Sequence, residues 1–415
     1  VKCPRSIYVH IPFCHRRCFY CDFPIVPLGD FADGEFGSGS ASVKAYLELL
    51  FREVALIPKA YPLSTVYIGG GTPSILSPKQ ISALLGRLER HFGFQDGAEI
   101  TLEIDPASFN KQKLQEYLGV GINRVSLGAQ SFDNEVLASL GRRHDSNQLL
   151  DSCEWISAFF EQGEMYSWSL DLIQNLPGHN LAFWEKQLEM ILEICPPHLS
   201  IYDLSIEKGT VFAWRKLRGE LNLPNDDLAA DVAQLTSSKL KNAGYARYEI
   251  SNYALPGHAS RHNRVYWSGA GWWGVGLGAA SCPWGKRLHR PKKRSEYEAW
   301  LLTQETYGLD KSLQHLYQQP IDLDELFIVG LRRREGIDFE ELAEDWGWNP
   351  IQRKAFLEEL EKYWKDSLKR GWIQRKGSRF ALHDPEGMDV SNHVLVEMLL
   401  WWDSLPKDAV ALPIA

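Results

Sequence analysis

Three thiols stand within eight residues of one another, in Cys14-His15-Arg16-Arg17-Cys18-Phe19-Tyr20-Cys21. Thiolates are soft donors that select iron–sulfur clusters or zinc. Ligand number separates the two. A structural zinc site takes four ligands, and its C-x-x-C pairs usually come twice; here there is one C-x-x-x-C-x-x-C triplet and no second pair. A [4Fe–4S] cube held by three thiolates keeps one iron open, and S-adenosylmethionine (SAM) can chelate that iron through its amino and carboxylate groups. Electron transfer from the cluster can then break the sulfonium C–S bond and release a 5′-deoxyadenosyl radical, chemistry of the kind that proteins delegate to cofactors. The alternative is a zinc loop completed by His10 or His15.

Other groups could hold a ligand beside such a cluster. Gly69-Gly70-Gly71-Thr72-Pro73 follows an apolar run, and consecutive glycines let backbone come close to a ligand with no Cβ in the way. Glu103 closes Thr101-Leu102-Glu103 and could accept hydrogen bonds from ribose hydroxyls or an ammonium. Gln130 follows Ser126–Ala129, Arg142 offers a guanidinium fork suited to a carboxylate, and Asp171 interrupts the apolar run Leu170–Ile173. Each alone is an ordinary structural residue; together they fall near the same end of successive expected strands.

Those strands are expected at Ser6–Ile11, Thr65–Ile68, Glu99–Ile104, Arg124–Leu127, Ser167–Ile173 and Leu199–Asp203. Helices are expected between them near Val43–Ile57, Pro78–Phe92, Lys111–Tyr117, Asn147–Phe160 and Leu181–Ile194, with another near Asp227–Ala243. Val43, Leu47, Leu50 and Val54 recur at helical spacing, as a face packed on a sheet requires. Repeated strand–helix units with right-handed crossovers make a parallel sheet. Six units close most of a barrel, and chemistry then sits at the C-terminal strand ends. Leu28–Ser42, rich in Gly, Ser and Asp, reads as a flexible loop beside the thiols. Gly285–Arg294 carries a basic stretch that reads as a solvated loop. Helices near Leu323–Arg332, Phe339–Trp346 and Arg353–Lys369 precede Trp372–Arg375 and Arg379–Leu382, two runs joined by Lys376-Gly377-Ser378, a hairpin signal. This is a winged-helix-like arrangement. Because the segment mixes acids and bases, a structural cap is preferred to a DNA-binding module.

The bulk numbers agree with a large domain plus a smaller one: 415 residues, 44% hydrophobic and 24% charged. A formal net charge of −8 argues against a nucleic-acid backbone as partner. No apolar run approaches the roughly 20 residues that span a bilayer, and Val1-Lys2-Cys3-Pro4 lacks the apolar region of a signal peptide. Seven cysteines, three of them clustered, fit a metal site in a reducing, cytoplasmic setting better than a disulfide framework.

The stretch Tyr8-Val9-His10-Ile11-Pro12-Phe13-Cys14, followed by Cys18-Phe19-Tyr20-Cys21-Asp22-Phe23, resembles the radical SAM superfamily. More narrowly it resembles the group of oxygen-independent coproporphyrinogen III oxidase and its haem-chaperone relatives, and the likeness runs from about Ser6 to Asn392. It implies an α/β fold: a partial TIM-type (β/α)6 barrel over residues 1–255, a connecting segment over 256–320, and a smaller, mostly helical winged-helix-like domain over 321–415. It implies that Cys14, Cys18 and Cys21 hold a [4Fe–4S] cluster. Gly70, Gly71 and Thr72 would contact the methionine part of SAM; Tyr8, Glu103, Gln130, Arg142 and Asp171 would contact SAM too, and Tyr20 its adenine side. His262-Asn263-Arg264-Val265-Tyr266-Trp267 looks like the H-N-x-x-Y-W signature of the chaperones, so His262 would ligate haem iron while Tyr266 and Trp267 pack on the macrocycle; a core histidine beside structural aromatics is the alternative. The run Gly269–Ala280 is no dinucleotide fingerprint and suits close backbone approach or tight packing alike. The oxidases carry a cysteine two residues after the third cluster cysteine, where this chain has Phe23, and they have a longer leader before the first strand. Both departures favour the chaperone branch. The expected activity is therefore haem binding and transfer to haem-accepting proteins, with an electron donor for the cluster; oxidative decarboxylation of coproporphyrinogen III is the alternative.

Overall fold

Alternation along the N-terminal strands decides the architecture. In a computed structural model, which describes residues 4–59, 61–283, 287–309, 323–345 and 347–404, strand β1 (Ser6–Ile11) buries Ile7, Val9 and Ile11 completely and gives its other face to Ser6, Tyr8 and His10. The same division runs through β2 (Leu63–Gly70), β3 (Phe94–Ile104), β4 (Arg124–Gln130), β5 (Ser167–Gln174) and β6 (His198–Asp203). Their aliphatic residues, among them Val66, Leu102, Val125, Leu170 and Leu199, join one core with the helices outside. The intervening positions are polar: Thr65 and Tyr67, Thr101 and Glu103, Arg124 and Ser126, Ser169 and Asp171, His198 and Ser200. Hydrogen bonds between the latter groups, such as Ser126 Oγ to Asp171 and Ser169 to His198, place them together on the inner side.

The six strands are parallel and adjacent in chain order, as the expected partial barrel requires. Their sheet is wider than six. Strands β7 (Ala246–Arg247) and β8 (Asn252–Ala254) extend it antiparallel beyond β6, and β9 (Trp273–Val275) pairs parallel with the free edge of β1. The segment expected as a connector thus contributes an edge strand; its residues 284–286 and 310–320 lie outside the described residues. Its helix Arg294–Tyr307 is fastened to the helix Ser40–Leu56. Glu53, fully buried, accepts from Arg290 Nε at 2.6 Å, from the Tyr297 hydroxyl at 2.5 Å and from the Gly276 N–H at 2.8 Å.

Helix boundaries follow caps that the apolar period does not reveal. The helix expected from Val43 begins at Ser40, because Gly39 at its N-cap takes a left-handed φ of 93°; the irregular stretch after Leu28 therefore ends at Gly39 rather than Ser42. Pro78–Phe92 is bounded as expected, with a Ser77–Gln80 capping box. The expected single helix Arg353–Lys369 is two, Pro350–Tyr363 and Lys365–Lys369, and the first is started by Asn349, whose side chain accepts from Ile351 N and Gln352 N. In the C-terminal part Phe327, Phe339, Trp348, Trp364, Phe380 and Trp401 belong to a second core. The hairpin expected from Trp372–Arg375 and Arg379–Leu382 forms one residue later on its first strand, as Ile373–Lys376 with Arg379–Leu382; it turns through Gly377 at φ 65° and gains Ile337–Asp338 as a third antiparallel strand. A last helix, Ser391–Ser404, completes this core. Trp346, the expected end of the helix Phe339–Asp345, is not among the described residues.

Candidate functional site

The thiol loop leaves β1 and is pinned at several points. Phe13–Cys14 pairs parallel with Val26–Pro27, and Leu28 N donates to Cys14 O at 2.8 Å. Phe19 N donates to Leu140 O and Phe212 N to Phe19 O, both at 3.0 Å, which ties the middle of the loop to two helix ends. The Arg17 guanidinium reaches the carbonyls of Cys21 and Phe23 at 3.1 and 2.9 Å. Cys14 is buried; Cys18 and Cys21 are half-buried. All three line one wall of a cavity of about 470 Å³, within the size range of small-ligand pockets.

The glycine loop forms the next wall. Gly70 has φ 119°, and a Cβ there would lie 2.7 Å from the His10 ring. A Cβ on Gly71 would lie 2.6 Å from Phe13 O and 2.9 Å from Cys14 Sγ. Glycine is therefore required for this loop to pass against the thiols. Thr72 Oγ1 donates to Cys14 Sγ at 3.5 Å.

The C-terminal strand ends complete the cavity. Glu103 accepts from the Tyr67 hydroxyl and from Gly70 N, each at 2.9 Å. Burial pushes its carboxyl up to about 7, against those two hydrogen bonds and with Asp171 adding to the rise. Asp171 accepts from Ser126 Oγ at 2.7 Å and Ser169 Oγ at 2.8 Å, and burial raises it also. Gln130 sits in a β-bulge at φ 63°, and its Oε1 is buried without a partner. Arg142 is ion-paired with Asp105, donates to Gly128 O at 2.9 Å and reaches Cys18 Sγ at 3.6 Å, yet its Nε is also buried and unpartnered. Burial works to raise Asp105, but Arg142 and then His144 outweigh it and hold that carboxyl below its ordinary range.

These features fit a cluster and SAM. Burial lifts the Cys14 thiol to about 12, with Cys21 and Cys18 pushing the same way. A buried thiol becomes a thiolate when a metal ion supplies the compensating charge. Two unpartnered polar atoms on one cavity, beside a loop closed to any Cβ, make a cradle for a polar ligand. The zinc alternative is not favoured. His10, one of the two candidate fourth ligands, already bonds the Tyr8 hydroxyl at 3.0 Å and Pro24 O at 3.1 Å.

Of the SAM candidates, Gly70, Gly71, Thr72, Glu103, Gln130, Arg142, Asp171 and Tyr20 line this cavity. Tyr8 is set back from the lining: it bonds His10 and stacks on Tyr67 at 6.1 Å, and Tyr67, one strand nearer, takes the place on the wall. The register explains this, since Tyr8 and Tyr67 are direct partners across β1 and β2.

His262, expected as a haem ligand with a core histidine as the alternative, is enclosed in this structure. Helix Arg261–Trp267 places it, fully buried, on the inner side of the sheet. Its ring nitrogens bond Thr65 Oγ1 at 2.7 Å and the Tyr266 hydroxyl at 2.8 Å, and its backbone N donates to Glu99 Oε1 at 2.9 Å. Burial, then Arg124, lowers its pKa to about 3. Tyr266 packs edge-on against His262 and Trp272 at 5.0 and 4.8 Å. Tyr266 and Trp267 are half-buried, and Trp267 lines a second cleft of about 260 Å³ that it shares with Tyr248, Glu249, Arg264 and Arg333. Sequence reasoning missed Tyr67, Asp105 and Tyr202 as cavity residues. Asp105 stands two residues after Glu103, which was found, and strand alternation could have nominated Tyr67.

Comparison with known proteins agrees with this geometry. The Radical SAM superfamily model matches residues 8–190. The chain is 36% identical to the heme chaperone HemW of Synechocystis sp., over 94% of this chain and 95% of that one. It is 33% identical to the heme chaperone HemW of Lactococcus lactis subsp. lactis, over 96% and 98%. Identity to the mitochondrial radical S-adenosyl methionine domain-containing protein 1 of Danio rerio is 31%, over 94% and 84%. Among solved structures, coproporphyrinogen III oxidase (HemN) from Escherichia coli, a radical SAM enzyme, superimposes with a TM-score of 0.73 over 97% of this chain and 91% of its own; at 21% identity that likeness speaks for the fold. Read together with the three thiols and the glycine loop on one cavity, the full-length matches show that this chain belongs to the heme chaperone HemW family of the radical SAM superfamily.

Proposed function

We propose that this chain is a haem chaperone: it binds haem and passes it to haem-accepting proteins, and it carries a [4Fe–4S] cluster and SAM. The observation that supports the cofactor part is the convergence of Cys14, Cys18 and Cys21 with Gly70–Thr72, Gln130, Arg142 and Asp171 on a single cavity. Cys14, Cys18 and Cys21 would hold the cluster; the glycine loop, Glu103, Gln130, Arg142, Asp171 and Tyr20 would hold SAM. Bound together, these groups supply one-electron chemistry that no side chain can provide. The chain itself does three things. Arg142 sets a fixed positive charge between Cys18 and Asp105. The glycine loop keeps the approach to Cys14 clear of side chains. Phe23, which lines the cavity while 56% exposed, puts an apolar ring at its mouth where the oxidases have a cysteine. The chaperone part is supported by relatives that are named heme chaperones over their whole length.

No described helix is long and apolar enough to cross a membrane. We place the protein in the cytoplasm, where the described cysteines stay reduced and an electron donor reaches the cluster. The test is one anaerobic preparation assayed for iron, labile sulfide, haem binding, haem transfer and coproporphyrinogen III decarboxylation. Haem binding and transfer without decarboxylation is expected. Robust turnover to protoporphyrinogen IX would replace the chaperone reading with the oxidase.

A further inference from the structure

The inner side of the barrel holds a continuous line of hydrogen bonds from one open space to the other. Asp171 lines the main cavity, and Tyr248 lines the second cleft. Between them, the Tyr248 hydroxyl meets His198 Nε2 at 2.7 Å, His198 Nδ1 meets Ser169 Oγ at 2.8 Å, and Ser169 Oγ meets Asp171 Oδ1 at 2.8 Å. Ser169 and His198 are wholly buried, and Tyr248 is 6% exposed.

The neighbours fix which way each hydrogen points. Ser169 Oγ donates to Asp171 Oδ1, and a carboxylate only accepts. With its one hydrogen so committed, Ser169 Oγ accepts from His198 Nδ1–H. A neutral imidazole that carries its proton on Nδ1 accepts at Nε2, so the Tyr248 hydroxyl donates to His198 Nε2. Every hydrogen in the line points toward Asp171. His198 faces Arg124 and His258, and burial is the first cause holding its pKa well below the ordinary value, so it stays neutral.

We propose that Tyr248, His198 and Ser169 form a proton relay that adjusts the charge of Asp171 from the second cleft. Delivery of one proton breaks the Tyr248 O–H and forms His198 Nε2–H. The Nδ1–H proton passes to Ser169, whose former proton forms O–H on Asp171. A solvent proton from the cleft restores Tyr248. The imidazole changes tautomer and never holds a charge, and the reverse sequence returns the proton. The purpose follows from the reading of the main cavity as the SAM site, on which this part rests. A bound cation favours ionised Asp171 and at the same time covers it from the cavity side, so its proton needs another way out.

Two measurements on the full chain test this. First, nitrogen-15 spectra of labelled histidine should show His198 protonated at Nδ1 alone; protonation at Nε2 or at both nitrogens would overturn the relay. This reading needs no SAM. Second, loss of the Asp171 proton on SAM binding is followed by time-resolved infrared difference spectra, begun at a pH where the free protein shows the protonated carboxyl band, the band being identified by its absence in Asp171→Asn. His198→Gln can bridge both neighbours but cannot change tautomer, and Tyr248→Phe keeps the packing but lacks the proton. Deprotonation is expected to slow on the order of 100-fold in each, the scale on which a positioned proton-transfer group acts, with SAM affinity and circular dichroism retained. Wild-type deprotonation rates in both variants would refute the relay. Failure of SAM to bind the wild type would instead refute the cavity assignment, leaving the tautomer to decide the relay.

Discussion

Glu103 makes the cavity sensitive to pH near neutrality. Its carboxyl is pushed from 4.5 to about 7, burial being the largest cause. In the unfolded chain it ionises near 4.5; in the folded chain it keeps its proton to about 7. Between those values the folded state holds more protons than the unfolded one, so stability falls as pH rises through this window and is flat above it. The displacement is worth about 3 kcal/mol. Binding of a cation reverses the preference, because it favours the carboxylate. SAM affinity should therefore drop roughly tenfold from pH 8 to pH 6, as the ionised fraction of a group titrating near 7 does. Glu103→Gln removes the titration. It also turns an amide N–H₂ toward Tyr67 or Gly70, both donors, at a pH-independent cost of about 1–3 kcal/mol. The assays are thermal unfolding of the free chain from pH 4.5 to 8 and SAM titration calorimetry over pH 6–8, wild type against variant. Between pH 4.5 and 7 the wild type should lose stability relative to Glu103→Gln, and the slope of affinity with pH should flatten in the variant. Parallel curves in both assays would refute the assignment of Glu103 as the neutral-range group of this cavity.

Three further outcomes are expected. Cys14→Ala, Cys18→Ala and Cys21→Ala should each lose labile sulfide and iron after anaerobic reconstitution, whereas Cys153→Ala, buried in the aliphatic core, should keep both; iron and sulfide analysis decides. Gly71→Ala places a methyl 2.6 Å from Phe13 O and 2.9 Å from Cys14 Sγ, so cluster content should fall while circular dichroism is kept, and full cluster occupancy would show that the loop can move aside. If His262 ligates haem iron, it must first leave Thr65 and Tyr266; Thr65→Val removes one of those bonds, worth about 1 kcal/mol net, and should tighten haem binding several-fold. Unchanged haem affinity and spectrum in both Thr65→Val and His262→Ala would place the iron ligand elsewhere.

What the sequence disclosed was local. The thiol spacing fits within one loop, and Gly69–Pro73 sits directly after an apolar strand, so residue type and order were sufficient for both. Helix faces such as Val43, Leu47, Leu50 and Val54 follow from period alone, and all four are buried. Contacts between distant segments were not legible. Arg142 could be read as a fork for a carboxylate, but not that Asp105, 37 residues earlier, would occupy it. The His262 motif is the sharpest case. Its residue types suit haem and suit a packed core equally, and the choice turns on Thr65, 197 residues away. Tyr8 stands back from the cavity wall for a related reason: alternation gives the face of a strand, but not which of two partnered tyrosines lines the cavity.

The polar interior is the consequence of the fold that alternation could not supply. A strand reading polar on every second residue ordinarily has that face in water. Here the apolar face lies under helices and the polar face is enclosed, the reverse of barrels whose interiors are filled by branched aliphatic residues. Such an interior holds only if its groups find one another, because an unmatched polar atom in low dielectric is costly. Most do: Thr65 with His262, Ser126 with Asp171, Ser169 with His198. Arg124 is an exception, wholly enclosed with Nε and Nη2 unpartnered among the protein groups, beside the equally unpartnered Thr101 Oγ1. Aliphatic residues at these positions would pack without that cost, so stability alone does not account for them. Their placement does: Arg124 helps hold Asp171 ionised and His198 neutral. The same interior thus supports a carboxylate at the cavity floor and keeps the imidazole behind it free of charge, which are the two conditions a neutral proton path to that carboxylate needs.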